Sequence, residues 1–149
     1  MDVKTTFLNG IIEEEVYIEQ PRGFEVSEKE SHVCRLKKAL YGLKQALSAW
    51  YSRIDACLQN MGFTKIEANP NLYYIFVGID LLILVLYADD LFLTSVDKLI
   101  ARCNANMIVE FEKKDISMMH YFLGLEVWQR PGKIFLGQGK YAIEILKRF

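Results

Sequence analysis

Six consecutive aliphatic residues, Leu81-Leu-Ile-Leu-Val-Leu86, run straight into Tyr87-Ala88-Asp89-Asp90, and the chain leaves this tetrapeptide through Leu91-Phe92-Leu93-Thr94. A short apolar run bounded by turn residues fits a strand buried in a sheet. Two adjacent carboxylates beside so apolar a stretch are expensive to bury unless something cationic neutralises them. A strand entering a tight Ala-Asp-Asp turn and returning along Leu91 to Thr94 would carry both at a hairpin tip. Two readings stay open for that tip. One is an ordinary polar turn, where aspartate is common; the other is a seat for a hard divalent cation that also binds substrate phosphates.

A chain of 149 residues is expected to form one domain with a sizeable core. Its content of 52% hydrophobic and 13% aromatic residues excludes a disordered segment. The apolar stretch over residues 72–88 is broken by Gly78 and Asp80, leaving too little to span a bilayer. No signal peptide and no membrane partner are expected. Cys34, Cys57 and Cys103 are widely spaced and read as reduced thiols, and His32 and His120 lack ligand-like spacing. Net charge is -1, but its distribution is uneven. Acidic residues dominate from Glu13 to Glu30, then Arg35, Lys37, Lys38, Lys44 and Arg53 follow with Tyr41, Trp50 and Tyr51 among them. That basic, aromatic stretch suits either a phosphate backbone or a solvated helix face.

Residues 1–7 alternate as a short strand ending at Asn9-Gly10, and Val16-Tyr17-Ile18 reads as a second. Leu43, Leu47, Trp50, Ile54, Cys57 and Met61 recur at helical spacing, with Gly62 as a stop. Asn69-Pro70-Asn71 reads as a turn, and residues 72–77 and 81–87 as a hairpin through Gly78-Ile79-Asp80. A second helix is expected from Asp97, burying Leu99, Ile100, Cys103, Met107, Ile108 and Phe111. Residues 121–128 and 133–136 make another hairpin about Arg130-Pro131-Gly132, and a last helix opens near Gly139. Helices placed between antiparallel pieces make an α+β fold.

Five blocks in this order resemble the reverse transcriptase of copia-type LTR retrotransposons. They are Met1-Asp-Val-Lys-Thr-Thr-Phe-Leu-Asn-Gly10, Glu13-Glu-Glu-Val-Tyr-Ile-Glu-Gln-Pro21, Cys34-Arg-Leu-Lys-Lys-Ala-Leu-Tyr-Gly-Leu-Lys-Gln-Ala46, Tyr87-Ala-Asp-Asp90 and Tyr121-Phe-Leu-Gly-Leu-Glu-Val127. The resemblance implies one partial reverse transcriptase domain over residues 1–149. It would be a palm, an antiparallel sheet with packed helices, plus part of the fingers and the start of the thumb from about residue 138. It implies an RNA-directed DNA polymerase within a Pol polyprotein, with RNA template, DNA primer and deoxynucleoside triphosphates as partners and a cytoplasmic, virus-like-particle setting.

The family's metal-binding carboxylates fall on Asp2, Asp89 and Asp90, which would hold Mg²⁺ or Mn²⁺ for addition of deoxynucleotides to a primer 3′-hydroxyl. Phe7 matches the aromatic gate under the sugar; a core phenylalanine is the alternative. Gly42, Lys44 and Gln45 match the segment against template and incoming base, Tyr87 falls among the substrate-binding positions, and Ala88 matches the wall beneath the primer end. Lys113 or Lys114 stands where a lysine protonates pyrophosphate, or else ends a helix in solvent. Residues 121–127 match a hairpin gripping the primer.

Departures from the family pattern are equally specific. Ala46-Leu47-Ser48-Ala49-Trp50 stands where the family has Ala-Pro-Arg-Ala-Trp, Ala88 where valine is usual, and Ser95 and Ser117 where glycine is usual. Upstream fingers and most of the thumb and RNase H are expected to be absent, so the isolated chain is expected to be inactive. A catalytically dead retroelement remnant that at most binds nucleic acid or a partner is the rival reading. A ferredoxin-like RNA-binding module fits less well, because its aromatic strand motif is missing.

Overall fold

In β-structure a residue and its second neighbour share a face, and Leu82, Leu84 and Leu86 are buried in that rhythm while Ile83 and Val85 between them are half-exposed. The strand they define is the middle of the main sheet. The computed structural model describes residues 2–29, 31–114 and 118–149, leaving aside the side chains of Asp2, Lys113 and Lys114. The elements are β1 (Asp2–Val3), a 3-10 helix (Thr6–Asn9), β2 (Tyr17–Ile18), β3 (Cys34–Arg35), α1 (Ala46–Asn60), β4 (Thr64–Ile66), β5 (Asn69–Val77), β6 (Asp80–Tyr87), β7 (Asp90–Thr94), α2 (Asp97–Glu110), β8 (Lys113–Lys114), β9 (Tyr121–Phe122), β10 (Leu125–Arg130), β11 (Lys133–Gly137) and α3 (Gly139–Arg148). Residues Met1–Lys114 form one compact unit and Asp115–Phe149 a second.

The first unit is built on a six-stranded antiparallel sheet in the order β4-β5-β6-β7-β1-β8, with β2 and β3 as a separate hairpin. Tyr73, Leu84 and Leu93 pair across β5, β6 and β7, as do Leu86 and Leu91, so these residues share one face. That face meets Trp50, Ile54, Cys57 and Leu58 of α1 and Leu99, Cys103 and Met107 of α2 in one core, with Val3, Phe63 and Phe111. Each fully buried leucine there contributes about 1.5–3 kcal/mol. Helix α1 ends where Gly62, at φ +90°, takes the left-handed conformation and donates its N–H to the Gln59 carbonyl. The opposite face of the sheet carries Tyr74, Phe76, Ile83, Val85 and Tyr87, all half-buried or exposed.

Several expectations need correction. The strand over residues 1–7 stops at Val3: the Thr6 hydroxyl donates to the Val3 carbonyl and Thr5 turns to φ +49°. Such local side-chain bonds compete with a ladder, and Phe7 rides the 3-10 helix instead. Residues 69–71 lie in β5, the turn having moved to Glu67-Ala68, and the register shifts at Lys65/Ile66 beside Pro70. A shift of that kind is how a sheet tolerates a residue that cannot donate. Lys113 and Lys114 belong to strand β8, not to the end of α2.

Leu47 and Ile108 are 57% and 62% exposed rather than part of their helices' buried stripes. In the second unit, Leu123 and Gly124 at φ +48° and +81° break residues 121–128 into β9 and β10. Two successive positive φ values make a tight two-residue hairpin turn, so the described residues of this unit form three strands, in the order β11-β10-β9, and α3.

Candidate active site at the β6–β7 turn

Tyr87 pairs directly with Asp90, leaving Ala88 and Asp89 as a two-residue turn between β6 and β7. Ala88 has φ +51°, a left-handed value that costs an alanine roughly 1–2 kcal/mol. Two bonds hold the turn from behind. The Trp50 indole N–H donates to the Ala88 carbonyl at 2.9 Å, and the Val3 N–H to the Asp89 carbonyl at 3.1 Å. A buried hydrogen bond contributes about 1 kcal/mol net, so anchoring and strain are of similar size.

Asp89 is exposed and Asp90 half-buried. The turn therefore reaches past the apolar core, and the desolvation that the sequence suggested is largely avoided. Strand β1 brings the third carboxylate-bearing position alongside, because Asp2 stands opposite Asp90 in antiparallel register. On its other edge Asp2 faces Lys114 and Val3 faces Lys113, both in β8. The Lys4 ammonium pairs with Glu112 at 2.8 Å and holds that carboxylate below its usual range, closing the same edge. The side chains of Asp2 and Lys113 lie outside the described residues. Among the described side chains, no three acidic, imidazole or thiol groups converge.

The 3-10 helix places Phe7 half-buried between the main core and a small cluster of Ile12, Ala39 and Ala46, its ring edge-on to Tyr41 at 5.0 Å. Gly42 follows in an exposed turn at φ +89°, which only glycine adopts at no steric cost. Lys44 is exposed, and the Gln45 amide donates to Glu14 at 2.9 Å. Tyr87 is 47% exposed at the end of β6. Ser95 does not lie at positive φ and its hydroxyl donates to the Leu81 carbonyl at 2.8 Å, so serine causes no backbone strain there; Ser117 lies outside the described residues. A cleft of about 410 Å³ between α1 and α2 is lined by Arg53, Cys57, Asn60 and Val109, among others, and by none of these site residues.

A family model described as reverse transcriptase (RNA-dependent DNA polymerase) matches residues 1–149. The chain is 40% identical, over all of its length, to the retrovirus-related Pol polyprotein from transposon TNT 1-94 of Nicotiana tabacum, and covers 12% of that protein. It belongs to the copia-type reverse transcriptases. The Pol polyprotein from transposon RE2 of Arabidopsis thaliana is 34% identical over 99% of the chain and 10% of its own length. The Ty1-BR Gag-Pol polyprotein of Saccharomyces cerevisiae is 30% identical over 89% of the chain and 8% of its own length. This reverse transcriptase segment thus spans about a tenth of the length of these curated relatives. No solved structure matches it.

For a divalent cation the donor chemistry at the turn is suitable: hard carboxylate oxygens, one exposed and one half-buried, with a third aspartate in register on the neighbouring strand. The sequence placed Trp50 in a helix stripe and among the aromatics of a basic stretch, not at the turn. Its bond to Ala88, across 38 positions, has no signature in local sequence.

Proposed function

We propose that this reverse transcriptase segment carries the catalytic centre of an RNA-directed DNA polymerase, with Asp2, Asp89 and Asp90 holding Mg²⁺ or Mn²⁺. The observation that carries this reading is the register: Asp2 opposite Asp90, and Asp90 opposite Tyr87 across a two-residue turn. Bound there, a divalent cation would neutralise phosphate charge and favour the ionised primer hydroxyl. The protein's own part is to hold carboxylates at one point and position template, primer and deoxynucleotide around them. Phe7, braced by Tyr41, would lie under the sugar; Gly42, Lys44 and Gln45 would meet the template and incoming base; Tyr87 and Ala88 would support the primer end, and Lys113 the pyrophosphate. In these terms the six-stranded sheet with α1 and α2 is the palm, the β2–β3 hairpin part of the fingers, and residues 138–149 the start of the thumb.

The 149 residues alone should incorporate little or nothing, because Asp89 is open to water and catalysis of this kind depends on enclosed, preorganised charge. A catalytically dead remnant is the competing reading, favoured by one contact: the Gln45 amide is already engaged by Glu14. Primer extension separates the two. The segment is placed between the flanking Pol regions of a related element and supplied with primed RNA, Mg²⁺ and deoxynucleotides. Incorporation that Asp89→Asn abolishes supports the catalytic assignment; incorporation unaffected by Asp89→Asn overturns it.

A further inference from the structure

Trp50 is wholly buried, yet its single polar side-chain atom is spent on the turn, at the Ala88 carbonyl. Its ring is fixed on the far side by Phe111, edge-on at 5.3 Å, and Phe111 in turn lies under the Arg53 guanidinium at 5.4 Å. Arg53 is tied to Glu110 at 2.8 Å. The direction of the indole N–H is therefore set by packing rather than by the turn it reaches. A two-residue hairpin turn demands positive φ at its first position, and Ala88, unlike glycine, takes φ +51° only at a steric cost, so a bond from behind the turn helps to hold it there.

We propose that Trp50 is a positioning residue for the aspartate pair: its N–H locks Ala88 left-handed and so sets how Asp89 and Asp90 are presented. The proposal rests on the reading of this pair as a cation site. It accounts for tryptophan at a core position where phenylalanine, the nearest aromatic without a donor, would leave the turn carbonyl unanchored. Losing that donor lets Ala88 relax toward negative φ and moves Asp89 relative to the register of Asp2 and Asp90.

The test compares the full chain with Trp50→Phe, Ala88→Gly, the double variant and Asp89→Asn. Amide hydrogen exchange at residues 89 and 90 is read by NMR, and Mn²⁺ binding by electron paramagnetic resonance. Trp50→Phe is expected to speed turn exchange and weaken Mn²⁺ binding, each about five- to tenfold, the worth of one hydrogen bond. Adding Ala88→Gly should restore most of both, since glycine takes positive φ without penalty. Unchanged turn exchange in Trp50→Phe, or no rescue by Ala88→Gly, means that Trp50 only fills space and overturns the proposal. Mn²⁺ binding indifferent to Asp89→Asn defeats the cation reading instead, and turn exchange still decides the anchor. Should Trp50→Phe not fold, the unmodified chain decides. The Trp50 indole proton must exchange far more slowly than that of half-exposed Trp128 and in step with the turn amides; exchange as fast as Trp128 overturns the proposal.

Discussion

At the scale of single residues, the site depends on how closely its backbone segments approach. A side chain on Gly10 would place a Cβ 2.8 Å from the Ala49 Cβ and from the Trp50 backbone nitrogen. Only glycine therefore lets the chain leaving the 3-10 helix run against α1 at the point where Trp50 departs for the turn. The obstructing atoms are mostly backbone, so they cannot swing aside. Gly10→Ala is expected to destabilise the fold by about 1–3 kcal/mol, the range for overpacking, measured as a lower urea midpoint at constant slope. An unchanged midpoint would mean that this approach is not tight. Tyr41→Ala removes the ring edge at 5.0 Å from Phe7; since Tyr41 is 61% exposed, stability should change by less than about 1 kcal/mol. In a polymerising context the same change should lower discrimination against ribonucleotides, measured by primer extension with each nucleotide type. Discrimination equal to the parent's would show that Tyr41 does not brace the gate.

At the scale of elements, one carboxylate fastens α1 to the sheet. Asp55 accepts from the Tyr73 hydroxyl at 2.6 Å and the Gln59 amide at 2.8 Å, and pairs with the Lys65 ammonium at 3.0 Å. Burial pushes its pKa up, but the bonds from Tyr73, Lys65 and Gln59 outweigh this and leave it below the usual carboxylate value. Burial, with the Asp55 bond, pushes the Tyr73 hydroxyl far above its normal range. A lowered native pKa means that the unfolded chain binds more protons, so this contribution is complete above about pH 4 and is lost as the pH falls further. Asp55→Ala should cost about 1–3 kcal/mol at pH 7, and Asp55→Asn should flatten the loss of stability between about pH 4 and pH 2; urea titrations at several pH values check both.

How legible each element was follows from the same physics. A continuous apolar run bounded by turn residues announced β6, helical spacing announced α1 and α2, and the Asp89-Asp90 turn was visible beside them. Two- and three-residue strands such as β3, β4 and β8 carry no periodicity, and they exist because a neighbouring edge pairs with them. The catalytic-looking aspartates were readable as residues, whereas the Trp50 anchor joins positions 38 apart and needed the fold.

At the scale of the whole molecule, charge and apolar surface divide unevenly between the two units. Unit Met1–Lys114 carries thirteen basic and sixteen acidic residues, and unit Asp115–Phe149 five basic and three acidic. The smaller, basic unit is also the one with more apolar surface than it can cover. Helix α3 buries none of its residues: Ile143 is 53% exposed, Leu146 77%, and Ile134 and Leu136 of β11 are 69% and 65% exposed. Exposed apolar surface of this kind is a site of association, and among the described residues β11 is an edge strand with backbone groups open to further pairing. A net charge of -1 supplies little repulsion to oppose it. The chain expressed by itself should therefore self-associate at tens of micromolar, roughly the regime in which exposed apolar surfaces and strand edges aggregate. Static light scattering measures this directly. Ile134→Lys with Leu146→Glu should shift the mass toward the monomer without altering the stability of the Met1–Lys114 unit, because neither side chain contributes to that unit's core. A monodisperse monomer for the unmodified chain at that concentration would show that the exposed face does not drive association.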